Sequence, residues 1–161
     1  MPVYIGIDLG KNCGYAVLET RGPGKPLVLK NGVLKTGGNY DWFVKVNAIL
    51  DEVKKQCKSQ KVYVAYEEVT FSKGMASARA YGGYRAMLEV LVKQHGFEWP
   101  LIPLSTFEVK KRFGGASFAT KEEVMEGVFV YLCLPRPSKK PDLNSTDALA
   151  IAAAAIKEKR K

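Results

Sequence analysis

Carboxylates at three separated places in this 161-residue chain have the types and settings of a cation site. Asp8 closes the apolar run Val3-Tyr4-Ile5-Gly6-Ile7, and Glu67-Glu68 close Val62-Tyr63-Val64-Ala65-Tyr66. Both runs read as short strands that deliver an acid at the C-terminal end. Asp147 leads the small, apolar stretch Ala148-Leu149-Ala150-Ile151-Ala152. Magnesium prefers oxygen ligands, so three acids converging from separate elements suit such an ion. Each acid also has an ordinary explanation. Asp8 before Leu9-Gly10-Lys11-Asn12 is good turn chemistry, a strand-end Glu is often only solvated, and Asp147 suits the positive end of a helix. Glu67 and Glu68 point to opposite faces if the strand continues, and alternation groups Glu67 with Tyr63 and Ala65.

The elements that must bring these acids together follow from periodicity. Strands are expected over Val3–Ile7, Tyr15–Leu18 and Val28–Leu34, the last two separated by the Gly22-Pro23-Gly24 turn, which gives an antiparallel meander. Phe43, Val46, Ile49, Leu50 and Val53 recur at helical spacing within Tyr40–Cys57, and Lys61–Tyr66 returns to strand character. A second helix is expected over Met75–Gln94, with Tyr84, Met87, Leu88 and Leu91 on one face, followed by a short strand at Trp99–Pro103. Helices at Thr106–Phe113 and Lys121–Cys133 flank the Gly114-Gly115 break. Pro135, Pro137 and Pro141 then interrupt the chain before a final helix of small residues that can pack closely on the first strand. The expected class is α/β: a mixed sheet with helices on both faces, in one domain over residues 1–161.

With 25 Lys and Arg against 16 acidic residues, the chain carries a formal charge of +9, which favours a polyanionic partner without choosing among DNA, RNA and an anionic surface. Lys110-Lys111-Arg112 beside Gly114-Gly115 form a dense positive step suited to phosphate, although a solvated helix face has the same composition. Cys13, Cys57 and Cys133 lack paired CxxC spacing, so a disulfide framework and a zinc knuckle are not expected. The apolar run Ala148–Ile156 is too short to span a bilayer, and no export signal is expected at the start of the chain. Gly10-Lys11-Asn12-Cys13-Gly14 does not match a nucleotide-binding P-loop. His95, the lone histidine, fits a helix C-terminus better than a catalytic role.

Taken together, Gly6-Ile7-Asp8-Leu9-Gly10, Ala65-Tyr66-Glu67-Glu68-Val69, Val109-Lys110 with Lys121, and Asp147-Ala148-Leu149-Ala150-Ile151-Ala152 resemble the RuvC-type Holliday junction resolvases. The likeness is strongest to their compact phage and viral versions. It implies a ribonuclease H-like fold, a homodimer, and Mg²⁺- or Mn²⁺-dependent cutting of a four-way DNA junction in the cytoplasm, or in the host's cytoplasm for a phage protein. On the matching positions it makes Asp8, Glu67 and Asp147 the metal-binding carboxylates, with Lys110 and Lys121 lining the cleavage site. Phe71, Lys73 and Arg79 belong to the segment that enters the junction, and Lys111 and Arg112 join the DNA-binding set. The Gly82-Gly83 helix, with Tyr81, Tyr84 and Arg85, is the expected dimer face.

One departure stands out: Asn144 occupies the position where the family usually has a further aspartate. Three residues before Asp147, it shares a helical face with that acid and can offer an amide oxygen to the ion, but no charge. Its other reading is a helix cap, with Asp142 an outer acid at most. Two alternatives follow: a related nuclease acting on flaps or RNA/DNA hybrids, and a junction-binding protein in which Asn144 has impaired cleavage.

Overall fold

The computed structural model describes residues 1–69 and 74–159. In chain order these form β1 (Val3–Asp8), β2 (Asn12–Glu19), β3 (Leu27–Lys35), α1 (Asn39–Gln56), β4 (Val62–Glu68) and α2 (Gly74–His95). After them come β5 (Ile102–Ser105), α3 (Thr106–Gly114), α4 (Lys121–Leu132) and α5 (Leu143–Lys159). One five-stranded sheet runs in the order β3-β2-β1-β4-β5. The meander β1-β2-β3 is antiparallel, whereas β4 joins β1, and β5 joins β4, in parallel.

Alternation along the strands divides the core into two layers. Val3, Ile5, Ile7, Val17, Val62 and Val64 pack with Trp42, Val46 and Leu50 of α1 and Leu88 and Leu91 of α2. Tyr4, Ala16, Leu18, Ala65, Ile102 and Leu104 pack on the opposite face with α3, α4 and α5. This is the mixed α/β sheet, covered on both faces, that the sequence predicts.

α5 is buried on all sides from Ala148 to Ile156, as befits a helix with no polar stripe. Its seat is made by two strand glycines. A Cβ on Gly6 would stand 2.3 Å from the Ala148 carbonyl oxygen, and one on Gly14 would stand 2.0 Å from that of Asn144. Only residues without a side chain allow the helix to lie this close to β1 and β2.

Several boundaries differ from expectation. β1 includes Asp8, and the reversal into β2 takes only Leu9–Lys11, so β2 starts at Asn12 rather than Tyr15. The last strand starts at Ile102, not Trp99, because the chain before it is still leaving α2: the Phe97 amide donates to the Val92 carbonyl and the Glu98 amide to that of Val62. Pro103 is tolerated in β5 because that strand lies at the sheet edge. On α1 the fully buried aromatic is Trp42, with Phe43 only partly buried. No helix among the described residues is long and apolar enough to cross a membrane.

Candidate active site

The parallel pairing of β1 with β4 builds the centre of the site. Tyr4 lies opposite Tyr63, with their rings stacked at 5.1 Å, and the register continues to Ile7 opposite Tyr66. Asp8 and Glu67 come one residue later, each four positions beyond its tyrosine. Both therefore sit at the same end of the sheet and on the face covered by α5. Glu68 is exposed and falls on the other face, where its charge acts on Tyr66 and Tyr81.

The seating of α5 on Gly14 brings Asp147 into the same neighbourhood, since Gly14 is the β2 residue paired with Asp8. Burial, and then the negative charges of Asp147 and Glu67, push the Asp8 carboxyl up to about 7, with Lys121 pulling the other way. Lys121, the first residue of α4, donates from Nζ to Asp147 Oδ2 at 2.8 Å. That bond raises the Lys121 pKa against the effect of partial burial. Lys110 joins Glu67, Lys121 and Asp147 in lining a cleft of ≈240 Å³.

Among the described residues, no three His, Cys, Asp or Glu side chains form a ready cation cage as they stand. The carboxylates nevertheless act on one another strongly enough to shift Asp8, and Asp147 is turned to an ammonium. The donor set is all oxygen and anionic, which suits Mg²⁺ or Mn²⁺. Concentrated negative charge at a buried strand end is the condition that a divalent ion relieves.

Asn144 lies in the first turn of α5. Its main-chain N–H donates to Asp142 Oδ1 at 2.9 Å, and the Asp142 carbonyl accepts from the Ser145 and Thr146 hydroxyls. Asp142 is thus the residue that caps the helix, and the reading of Asn144 as the cap is corrected.

The expected DNA contacts fall in different places. Lys111 is exposed on α3. Arg112 is only 14% exposed: Nη1 donates to the Ala154 carbonyl oxygen at 2.6 Å and Nη2 pairs with Glu158, so the guanidinium ties α3 to the end of α5. Arg79 is exposed near the start of α2, with Nη2 3.5 Å from Met75 Sδ. Phe71 and Lys73 lie outside the described residues. His95 sits in the last turn of α2, with Nε2 2.8 Å from Asn47 Oδ1, away from the acids. Cys13 is buried beside Asp8, and burial followed by that charge pushes its thiol up to about 12, which keeps it unreactive.

Sequence reasoning missed Thr106, whose hydroxyl donates to Glu67 Oε1 at 2.7 Å. It also missed the two capping boxes that aim the surrounding helices, Ser105 with Glu108 and Thr120 with Glu123. The signal was present, because Ser-x-x-Glu and Thr-x-x-Glu are written at both helix starts.

Residues 4–155 match the family model for crossover junction endodeoxyribonuclease RuvC. The chain belongs to the RuvC family. Among curated relatives, the RuvC of Campylobacter jejuni strain 81116 is 30% identical over 158 residues, covering 92% of this chain and 91% of that protein. The RuvC of Prochlorococcus marinus strain MIT 9303 is 27% identical, covering 92% and 94%. Thermus thermophilus RuvC superposes with a TM-score of 0.81 at 28% identity, covering 98% of this chain and 95% of that one. The same protein solved in complex with a Holliday junction substrate gives 0.82 at 27% identity, covering 98% and 94%. The yeast mitochondrial Holliday junction resolvase Ydc2, 12% identical with a TM-score of 0.61, shares the fold; coverage is 94% of this chain and 76% of that one. The sheet described above is accordingly the ribonuclease H-like sheet of RuvC.

Proposed function

We propose that this chain is a structure-selective endonuclease that resolves four-way DNA junctions by Mg²⁺- or Mn²⁺-dependent phosphodiester hydrolysis. The observation that carries the reading is a cleft lined by Glu67, Asp147, Lys110 and Lys121, next to a half-buried Asp8 whose carboxyl is raised by burial and by the charges of Asp147 and Glu67, in a member of the RuvC family. The substrate class follows from the likeness to a RuvC solved on a Holliday junction. The nuclease is read as a single domain over residues 1–161, working as a homodimer through α2 so that two symmetric sites make two symmetric nicks. The bacterial relatives suit a cytoplasmic enzyme; the phage or viral branch rests on the motif resemblance alone.

Asp8, Glu67 and Asp147 would hold the ions, with Asn144 adding an uncharged oxygen. When bound, the ions supply activation of water and neutralisation of the leaving 3′-oxygen. The chain's own residues do the rest. Asp8 must release its proton to bind, so acid competes with metal at this carboxyl. Asp147 must turn from Lys121, which frees that ammonium to face the scissile phosphate together with Lys110. Lys111 and Arg79, both exposed, would meet the backbone of the arms, and Phe71 and Lys73 keep their expected part in entering the junction. Arg112 can serve phosphate only in competition with Ala154 and Glu158.

A labelled immobile junction incubated with the chain in Mg²⁺ and in Mn²⁺ tests the reading, with flap and RNA/DNA hybrid competitors present. Preferential paired nicking of the junction is expected; preference for a flap or hybrid would replace the substrate assignment. Asn144 favours one second reading, a junction-binding protein with impaired cleavage, because a neutral amide attracts a cation less than a carboxylate does. Tight junction binding without cutting in either metal would select it.

A further inference from the structure

We propose that Thr106 is a positioning residue for Glu67, an inference that rests on the metal centre proposed above. Its hydroxyl donates to Glu67 Oε1 at 2.7 Å, a short bond to an acceptor that, when ionised, has no proton of its own to give. Glu67 is the second-last residue of β4, on a flexible side chain whose carboxylate would otherwise sample several rotamers. The hydroxyl holds one oxygen and leaves the other for the cleft that both residues line.

Two other uses of this side chain are taken up elsewhere. The start of α3 does not need it: Ser105 Oγ accepts from the Glu108 amide at 3.2 Å, and Glu108 Oε2 accepts from the Ser105 amide at 2.9 Å. Core packing does not need it either, because Thr106 is exposed. What the position requires is a rigid hydroxyl. β-branching limits Thr106 to few χ1 rotamers, and the bond to Glu67 marks the one in which the donor faces β4.

The contrast with Asp147 shows why a neutral donor matters. Asp147 is held by the Lys121 ammonium, a partner that cancels charge and competes with any cation. Thr106 orients Glu67 without cancelling its charge, so the carboxylate is aimed before an ion arrives. Partners of this kind are worth about 10–100-fold in metal affinity, and a neutral, exposed hydroxyl belongs at the lower end.

The test is calorimetric titration of Mn²⁺ into the parent chain, Thr106→Val and Thr106→Ser, without DNA, with melting in chelator as a check on folding. Thr106→Val keeps the branched shape and removes the donor, and Mn²⁺ affinity should fall about 10-fold. Thr106→Ser keeps the donor on a less rigid stem and should return to within about 3-fold of the parent. Equal affinity in all three chains, or a loss in Thr106→Val that Thr106→Ser does not recover, would overturn the positioning role. Failure of the parent itself to bind Mn²⁺ would remove the metal centre, a result distinct from either.

Discussion

At the scale of single residues, the site is a balance of opposed charges, Asp8, Glu67 and Asp147 against Lys121. Asp8 has its carboxyl raised from an ordinary 3.8 to about 7. The folded chain therefore keeps that proton to higher pH than the unfolded chain does. This contribution to stability is full below about pH 4 and lost as pH rises through about 7. In chelator at pH 8, Asp8→Asn should melt above the parent by the equivalent of about 2–4 kcal/mol, and the gap should close as pH falls toward 4. A gap independent of pH would show that the Asp8 carboxyl is not raised by burial and by the charges of Asp147 and Glu67. Asn144 poses the opposite question, since its main-chain N–H donates to Asp142 and its side chain lies one helical turn before Asp147. Asn144→Asp restores a charge there with little change in size. Cleavage at limiting Mg²⁺ should rise several-fold through tighter binding of the ion, with a smaller gain at saturation because carboxylate repulsion opposes it. No gain at any Mg²⁺ concentration, with junction binding in Ca²⁺ unchanged, would show that the amide is already adapted to this position.

At the scale of elements, the acids are brought together by glycine contacts more than by the acids themselves. A Cβ at Gly14 would overlap the Asn144 carbonyl, so Gly14→Ala must lift the first turn of α5 or bend β2. The expected cost is about 1–3 kcal/mol, read by chemical denaturation, with a loss of cleavage larger than the loss of stability explains because Asp147 moves away from Asp8. Unchanged stability and cleavage would mean that α5 is not seated as described. This seat was only partly readable from sequence. The small residues of α5 announce a close-packed helix, and alternation along β1 and β4 places Asp8 and Glu67 on one face. That Gly14 receives the helix depends on the β1–β2 register, which no local pattern encodes. The partners of Arg112 were illegible for the same reason: a basic step looks alike whether it meets phosphate or the end of a helix 42 residues further on. Asp142 was missed as the cap although Asp at a helix start is a local signal, because the cap was weighed at Asn144 instead; Thr106 was missed because its partner Glu67 lies 39 residues away.

At the scale of the whole molecule, a chain of formal charge +9 gathers Asp8, Glu67 and Asp147 within reach of one another's charge, and the two charge signs answer different needs. On the proposed reading the positive residues would recruit the DNA backbone through release of counterions, while the acids at the β1–β4 end would recruit the cation. Cutting and binding should therefore separate cleanly in one variant. The most direct measurement is a comparison of the parent and Asp8→Asn on a labelled immobile four-way junction, scoring nicks in Mg²⁺ and affinity in Ca²⁺. Asp8→Asn removes one anionic ligand and leaves the basic face untouched. The predicted result is a fall in nicking of about 10³-fold or more with junction affinity retained within about 3-fold. Nicking at the parent rate under limiting Mg²⁺ would contradict the assignment of the carboxylate centre as the place where the strand is cut.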